Sequence, residues 1–210
     1  MRLLAAVTAV LLLTGCQTAY YSTMEKLGIE KRDILVDRVD EAKDSQGEAQ
    51  EEFRSALERL DTMLNIDGGE LEEQYNALND DYEASKSAAE RVRERIDAVD
   101  NVAQDLFDEW SEELEQYSND SMRRQSERQL RETERRYADL IRTMERAAGK
   151  MDPVLAKLQD NVLYLKHNLN AQAISAIRGE FDNLQVDIRD LIKEMEAAIA
   201  ESDKFIASMN

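Results

Sequence analysis

Glycine and proline are scarce, seven and one among 210 residues. Strands average about five or six residues and need turn residues at each end, so sandwiches, barrels and doubly wound α/β folds are ruled out. Histidine and cysteine occur once each. Zinc sites ask for several such ligands. A di-iron bundle asks for paired Glu-x-x-His motifs, yet the residue three before His167 is Tyr164. Ser–His or Cys–His catalysis would depend on that one imidazole, which reads as an ordinary, partly exposed helix residue. No glycine-rich phosphate cradle is present, and Asp67-Gly68-Gly69-Glu70 lacks the ligand spacing of a calcium loop. Positive charge is short as well: 27 basic against 45 acidic side chains give a net charge of -18. A nucleic-acid binder carries the opposite footprint. What remains is an all-α chain rich in Ala, Leu, Glu, Arg and Gln, expected to be no enzyme and to hold no cofactor or metal.

The amino terminus reads as an address. Arg2 precedes an apolar run over residues 3–13, broken only by Thr8. That is the length of a secretory h-region and too short to cross a bilayer core of about 30 Å. Leu13-Thr14-Gly15-Cys16 follows, ending on the only cysteine. The sequence resembles the lipobox of bacterial lipoproteins, which implies acylation of Cys16 and cleavage before it. The division expected is a signal peptide over 1–15, a lipidated tether over 16–21 and a single helical coiled-coil domain over 22–210. Loss of Arg2 leaves 26 basic and 45 acidic side chains, a net charge of -19. Each acyl chain contributes roughly 0.8 kcal/mol per buried methylene, so two or three anchor stably. Gln17, where an Asp favours inner-membrane retention in Gram-negative sorting, points to the inner leaflet of the outer membrane. Tyr20 and Tyr21, beside the acyl cysteine, suit a membrane interface.

Heptads dominate the rest. Tyr75, Tyr82, Ala89, Ile96, Ala103, Trp110 and Tyr117 are seven apart, and Leu71, Leu78, Ser85, Val92, Val99 and Leu106 interleave them. Six heptads in one register is a coiled-coil pattern, about 70 Å long as a helix. Leu35, Val39, Ala42, Gln46, Ala49, Phe53, Ala56, Leu60 and Met63 repeat the alternation upstream, with Gln46-Gly47 as a candidate bend. Asn65-Ile66-Asp67-Gly68-Gly69 between them is the strongest turn, since glycine takes positive φ without steric cost. The two segments form an antiparallel hairpin.

A third segment starts near Asn119-Asp120-Ser121, any of which can cap a helix. Its stripe is Met122, Leu130, Tyr137, Leu140, Met144, Ala147 and Met151, and the phase runs past Pro153 to Leu158 and Leu165. One kinked helix over about 121–168 is expected, then a bend at Asn168-Leu169-Asn170-Ala171. The last helix carries Ile177, Phe181, Leu184, Ile188, Leu191, Met195, Ala198 and Phe205. The architecture expected is two long antiparallel hairpins, an elongated four-helix arrangement or a self-associating rod.

Charge is uneven along the chain. Residues 96–121 hold nine acidic and no basic side chains, while residues 122–150 hold nine basic and five acidic. Acid at a helix C-terminus and base at an N-terminus both oppose the macrodipole, and a hairpin at 118–121 would set the two runs side by side. Arg123, Arg124, Arg128, Arg131, Arg135 and Arg136 read first as a helix laced with ion pairs to Glu127, Glu132 and Glu134. Arg123, Arg124, Arg128, Arg131 and Arg135 are also the candidate patch for an anionic ligand.

The lipobox with Gln17-Thr18-Ala19-Tyr20-Tyr21, then Lys31-Arg32-Asp33-Ile34-Leu35-Val36, Tyr117-Ser118-Asn119 and Leu165-Lys166-His167-Asn168-Leu169-Asn170-Ala171, resembles a proteobacterial family of secreted proteins of unknown function. The resemblance covers nearly the whole mature chain. It implies a helical, secreted protein and transfers no activity and no site residue. The function expected is an envelope scaffold or adaptor working through helix–helix contacts, by a protein partner or self-association. The other reading is a binding module for anionic lipid or peptidoglycan using the Arg-rich 122–150 segment.

Overall fold

A computed structural model of the chain describes residues 30–65 and 71–209. Four helices account for nearly all of them: α1, Lys31–Leu64; α2, Leu71–Leu114; α3, Asp120–His167; and α4, Ala171–Met209. They run up and down in turn. Each packs on its neighbour in sequence, and α4 closes the ring against α1. The expected four-helix arrangement is therefore completed within one chain.

The stripes explain the packing. Leu35, Val39, Phe53 and Leu60 of α1, Leu78, Val92 and Val99 of α2, Leu140, Met144 and Leu158 of α3, and Leu184, Ile188 and Leu191 of α4 share one apolar cluster. Each such side chain contributes about 1.5–3 kcal/mol when fully buried. α1 and α2 approach most intimately, because Ala42, Ala49 and Ala56 face a helix that buries Ser85, Ala88 and Ala89. Small side chains let two backbones come close.

Ion pairs on the flanks set the register. Arg95 reaches Glu41 at 2.9 Å and Arg59 reaches Asp81 at 3.1 Å across α1 and α2. Arg93 pairs with Asp152 at 2.5 Å across α2 and α3, and Lys150 with Glu194 at 3.4 Å across α3 and α4. Lys43 reaches Asp203 at 3.2 Å between α1 and α4.

Helix ends follow from local chemistry. The Asn119 side chain accepts from the amides of Ser121 (2.9 Å) and Met122 (3.2 Å), capping α3. Asn170 does the same for Gln172 and Ala173, both at 3.0 Å, so the expected bend at 168–171 separates α3 from α4. At the far end, an Arg178 guanidinium donates to the carbonyl of Leu64, a cation placed where the α1 dipole is negative.

The helices run through both places at which they could have been divided, as the continuous helix over about 121–168 required. α1 runs unbroken through Gln46 and Gly47, and the Gln46 side chain is fully buried. Neither atom of its amide has a hydrogen-bond partner. The polar residue is absorbed into the core within a continuous helix. α3 likewise runs through Pro153 as one helix. Pro153 and Gly149, whose carbonyl loses its helical donor, both face solvent, where water can replace the missing bond. The glycine turn over 66–69 lies outside the described residues.

A protruding tip as candidate interaction surface

Among the described residues, α2 and α3 outrun the other two helices at one end. The ion pair of Lys31 with Glu109 (3.1 Å) places the start of α1 level with Glu109, yet α2 continues to Leu114. Phe205 stands edge-on to Tyr137 with ring centroids 6.4 Å apart, and α4 ends only one turn later at Met209. The first dozen residues of α3, about 18 Å of helix, therefore extend past α4.

An aromatic joint marks the boundary. Tyr137 also stands edge-on to Phe107 of α2 at 5.5 Å, tying α2, α3 and α4 together. Its hydroxyl donates to Asp100 Oδ1 at 2.5 Å. Burial first, and then the bond to that carboxylate, hold the Tyr137 phenol well above its ordinary pKa. Beyond the joint, Trp110 donates its indole N–H to Ser126 Oγ at 2.8 Å, bridging α2 and α3 within the tip. Leu130 is buried there, apart from the main apolar cluster.

The tip corrects several core assignments. Tyr117 and Met122 continue the heptad stripes but are exposed, and Trp110 is only partly buried. The stripe persists where the neighbouring helices have ended. Conversely, Ala88 and Val102 are buried outside both heptad series, because each helix of a ring has two neighbours to cover. No separate sequence signal distinguished them.

All five arginines of the candidate patch lie on the exposed outer surface of the tip or just below it. Arg123 pairs with Asp120 at 3.9 Å and Arg131 with Glu127 at 2.5 Å, both along α3, and Arg136 pairs with Glu132. Arg124, Arg128 and Arg135 have no ion-pair partner among the described residues. With Arg131 they step by four, three and four along the helix, which places them on one stripe. Lacing by ion pairs thus holds for only half of the run. The acidic stretch of α2 does lie beside α3, as Trp110–Ser126 and Tyr137–Asp100 show. Yet among the described residues no ion pair crosses from it to the arginines of α3, so the expected compensation is one of proximity alone.

Elsewhere the chemistry is sparse. His167 ends α3 and is exposed. No group of three or more metal-ligating side chains occurs among the described residues, and no helix among them is long and apolar enough to cross a membrane. An open groove of about 550 Å³ runs between α3 and α4 at the far end, with Tyr164, Ile177 and Leu184 on its walls. Cys16, Gln17, Tyr20 and Tyr21 lie outside the described residues.

A family model described as a protein of unknown function, DUF2959, matches residues 20–209. The chain belongs to the DUF2959 family. No curated protein matches it. The resemblance seen in the sequence is thus to a family of unknown function, and the helical fold it implied is present. The DUF2959 match takes in all four helices, the tip and the ten residues ahead of Glu30.

Proposed function

We propose that this protein is a lipid-anchored periplasmic scaffold or adaptor that meets its partner through the outer face of the α2–α3 tip. The observation that carries the reading is the position of the tip. It projects from the end of the bundle at which the chain enters α1, fifteen residues after Cys16 in the sequence. A partner helix laid along the tip would meet the stripe Arg124, Arg128, Arg131 and Arg135, three of them without an ion-pair partner among the described residues. Acylation by a diacylglyceryl group holds that face at the inner leaflet of the outer membrane, the direction given by Gln17. The role is non-enzymatic.

Two measurements test this. Radiolabelled palmitate should enter the chain and be lost on Cys16→Ala; unlabelled wild-type protein removes the anchor from the account. Chemical cross-linking in intact cells, followed by mass spectrometry, should give one recurrent foreign protein linked through residues 115–135. Links confined to the chain itself would remove the adaptor role.

The unpaired arginines support a second reading, an anionic ligand such as lipid head groups or peptidoglycan. It predicts co-sedimentation with phosphatidylglycerol vesicles or sacculi that weakens with salt, since exposed charges are screened beyond about 8–10 Å at moderate ionic strength. Arg124→Ala with Arg128→Ala should abolish it. Sedimentation indifferent to both would exclude this reading.

A further inference from the structure

We propose that the groove between α3 and α4, at the end of the bundle away from the tip, is a binding site for an alkyl polyamine. Its volume of about 550 Å³ falls within the range of small-molecule sites, about 300–1,000 Å³, and the space between helices of a bundle is a usual place for one. The floor is apolar, formed by the buried side chains of Ile177 and Leu184, with Ala176 adding a methyl group at the rim. Tyr164 stands on the α3 wall, 43% exposed.

The polar groups on the walls decide the charge of the ligand. Lys157 is the one cation among the lining residues, and Asp187 already neutralises it across the two helices. Asn161 donates its amide to the Lys157 carbonyl at 2.8 Å, which leaves its Oδ1 as an acceptor. Asp160 on the α3 wall and Glu180 on the α4 wall have no ion-pair partner among the described residues. The groove therefore offers acceptors and negative charge, and no free cation to hold an anion. A protonated amine supplies the donors that this set lacks.

Spacing decides the shape. The Lys157–Asp187 pair fixes the antiparallel register, so Asp160 lies three residues beyond it on α3 and Glu180 seven beyond it on α4. At helical rise the two carboxylates are offset by about 6 Å along the groove, on opposite walls, with Tyr164 level with Glu180. A short alkyl chain with an amine at each end reaches both. Its methylenes then lie on Ile177 and Leu184, and one amine sits between Glu180 and the face of the Tyr164 ring. A metal ion would gain nothing from the floor, and no group of three or more metal-ligating side chains occurs among the described residues. A partner helix, about 10–12 Å across with its side chains, would rest on the rims and leave the floor uncovered.

Calorimetric titration of the full chain with spermidine tests this. Saturable binding at one site is expected. Asp160→Asn with Glu180→Gln should weaken it about tenfold. Ala176→Lys, which sets a tethered alkyl amine at an exposed position on the rim, should abolish it with the melting transition unchanged. Asp182→Asn with Glu196→Gln removes the same charge from α4 outside the groove and should leave binding as it is. Absence of saturable binding overturns the proposal. So does equal weakening by the two charge-matched pairs, which would mark attraction to the net charge of -18 alone. A photo-crosslinking residue at Asn183, on the groove wall, should capture no protein in intact cells; a recurrent foreign protein there assigns the groove to a macromolecule and overturns the proposal equally.

Discussion

Within the body, α3 buries Tyr137, Leu140, Met144 and Met151 among neighbouring helices; within the tip, the same helix buries only Ser126 and Leu130 and leaves Met122 56% exposed. The sequence pattern hardly changes between the two. What changes is the number of neighbours among the described residues, since α1 begins at Lys31 and α4 stops at Met209. The body commits its heptads to stability. The tip keeps a polar bridge, Trp110 to Ser126, and apolar side chains at the surface, which is the condition for binding something else.

Substitutions sharpen this contrast. Val92→Asp buries a carboxylate without a partner in the body and should destabilise by more than about 4 kcal/mol, seen as a collapsed melting transition by circular dichroism. Met122→Asp in the tip should leave the transition within about 0.5 kcal/mol; equal losses at both sites would erase the distinction. Gln46→Leu removes a desolvated, unpartnered amide from the body at nearly constant volume. It should raise stability by about 1–3 kcal/mol, read as a higher urea midpoint with an unchanged slope. A fall instead would mean that the amide has a partner in solution.

Tyr137→Phe at the joint should cost about 1–2 kcal/mol, the contribution of a hydrogen bond to a carboxylate at a partly exposed site. The joint also titrates. The folded-state pKa of Tyr137 lies above its unfolded value, so its contribution is fully present below about pH 10 and is lost as pH rises toward the folded value. Wild-type stability should therefore fall above about pH 10 more steeply than that of Tyr137→Phe. Parallel curves would show that the phenol is not held as the geometry requires. The smallest effect is expected at Arg128→Ala in the tip, within about 0.5 kcal/mol of wild type yet with partner binding lost.

Much of this fold was legible in the sequence. The register of α2 from Leu78 to Leu106 is the register of the core, and the helix boundaries at 119–121 and 168–171 follow from Asn119 and Asn170, which cap as their side chains dictate. Periodicity names the face a helix buries but not where its neighbours stop, so Tyr117 and Met122 read as core. Gln46 read as an interruption of the stripe, yet it is buried with the stripe, because periodicity does not tell whether a polar side chain in the seam is left dry. The arginine run could be located but not divided, since Arg124 and Arg131 alternate alike with glutamates and only geometry separates paired from unpaired.

The most direct test compares the two regions in one experiment. A photo-crosslinking residue at Arg128 of the tip, and another at Val186, which is 53% exposed on the body, would be activated in intact cells producing the chain. The account predicts adducts to one recurrent foreign molecule from position 128 and none from 186. Equal labelling from both positions, or adducts from 186 alone, would contradict the assignment of function to the tip.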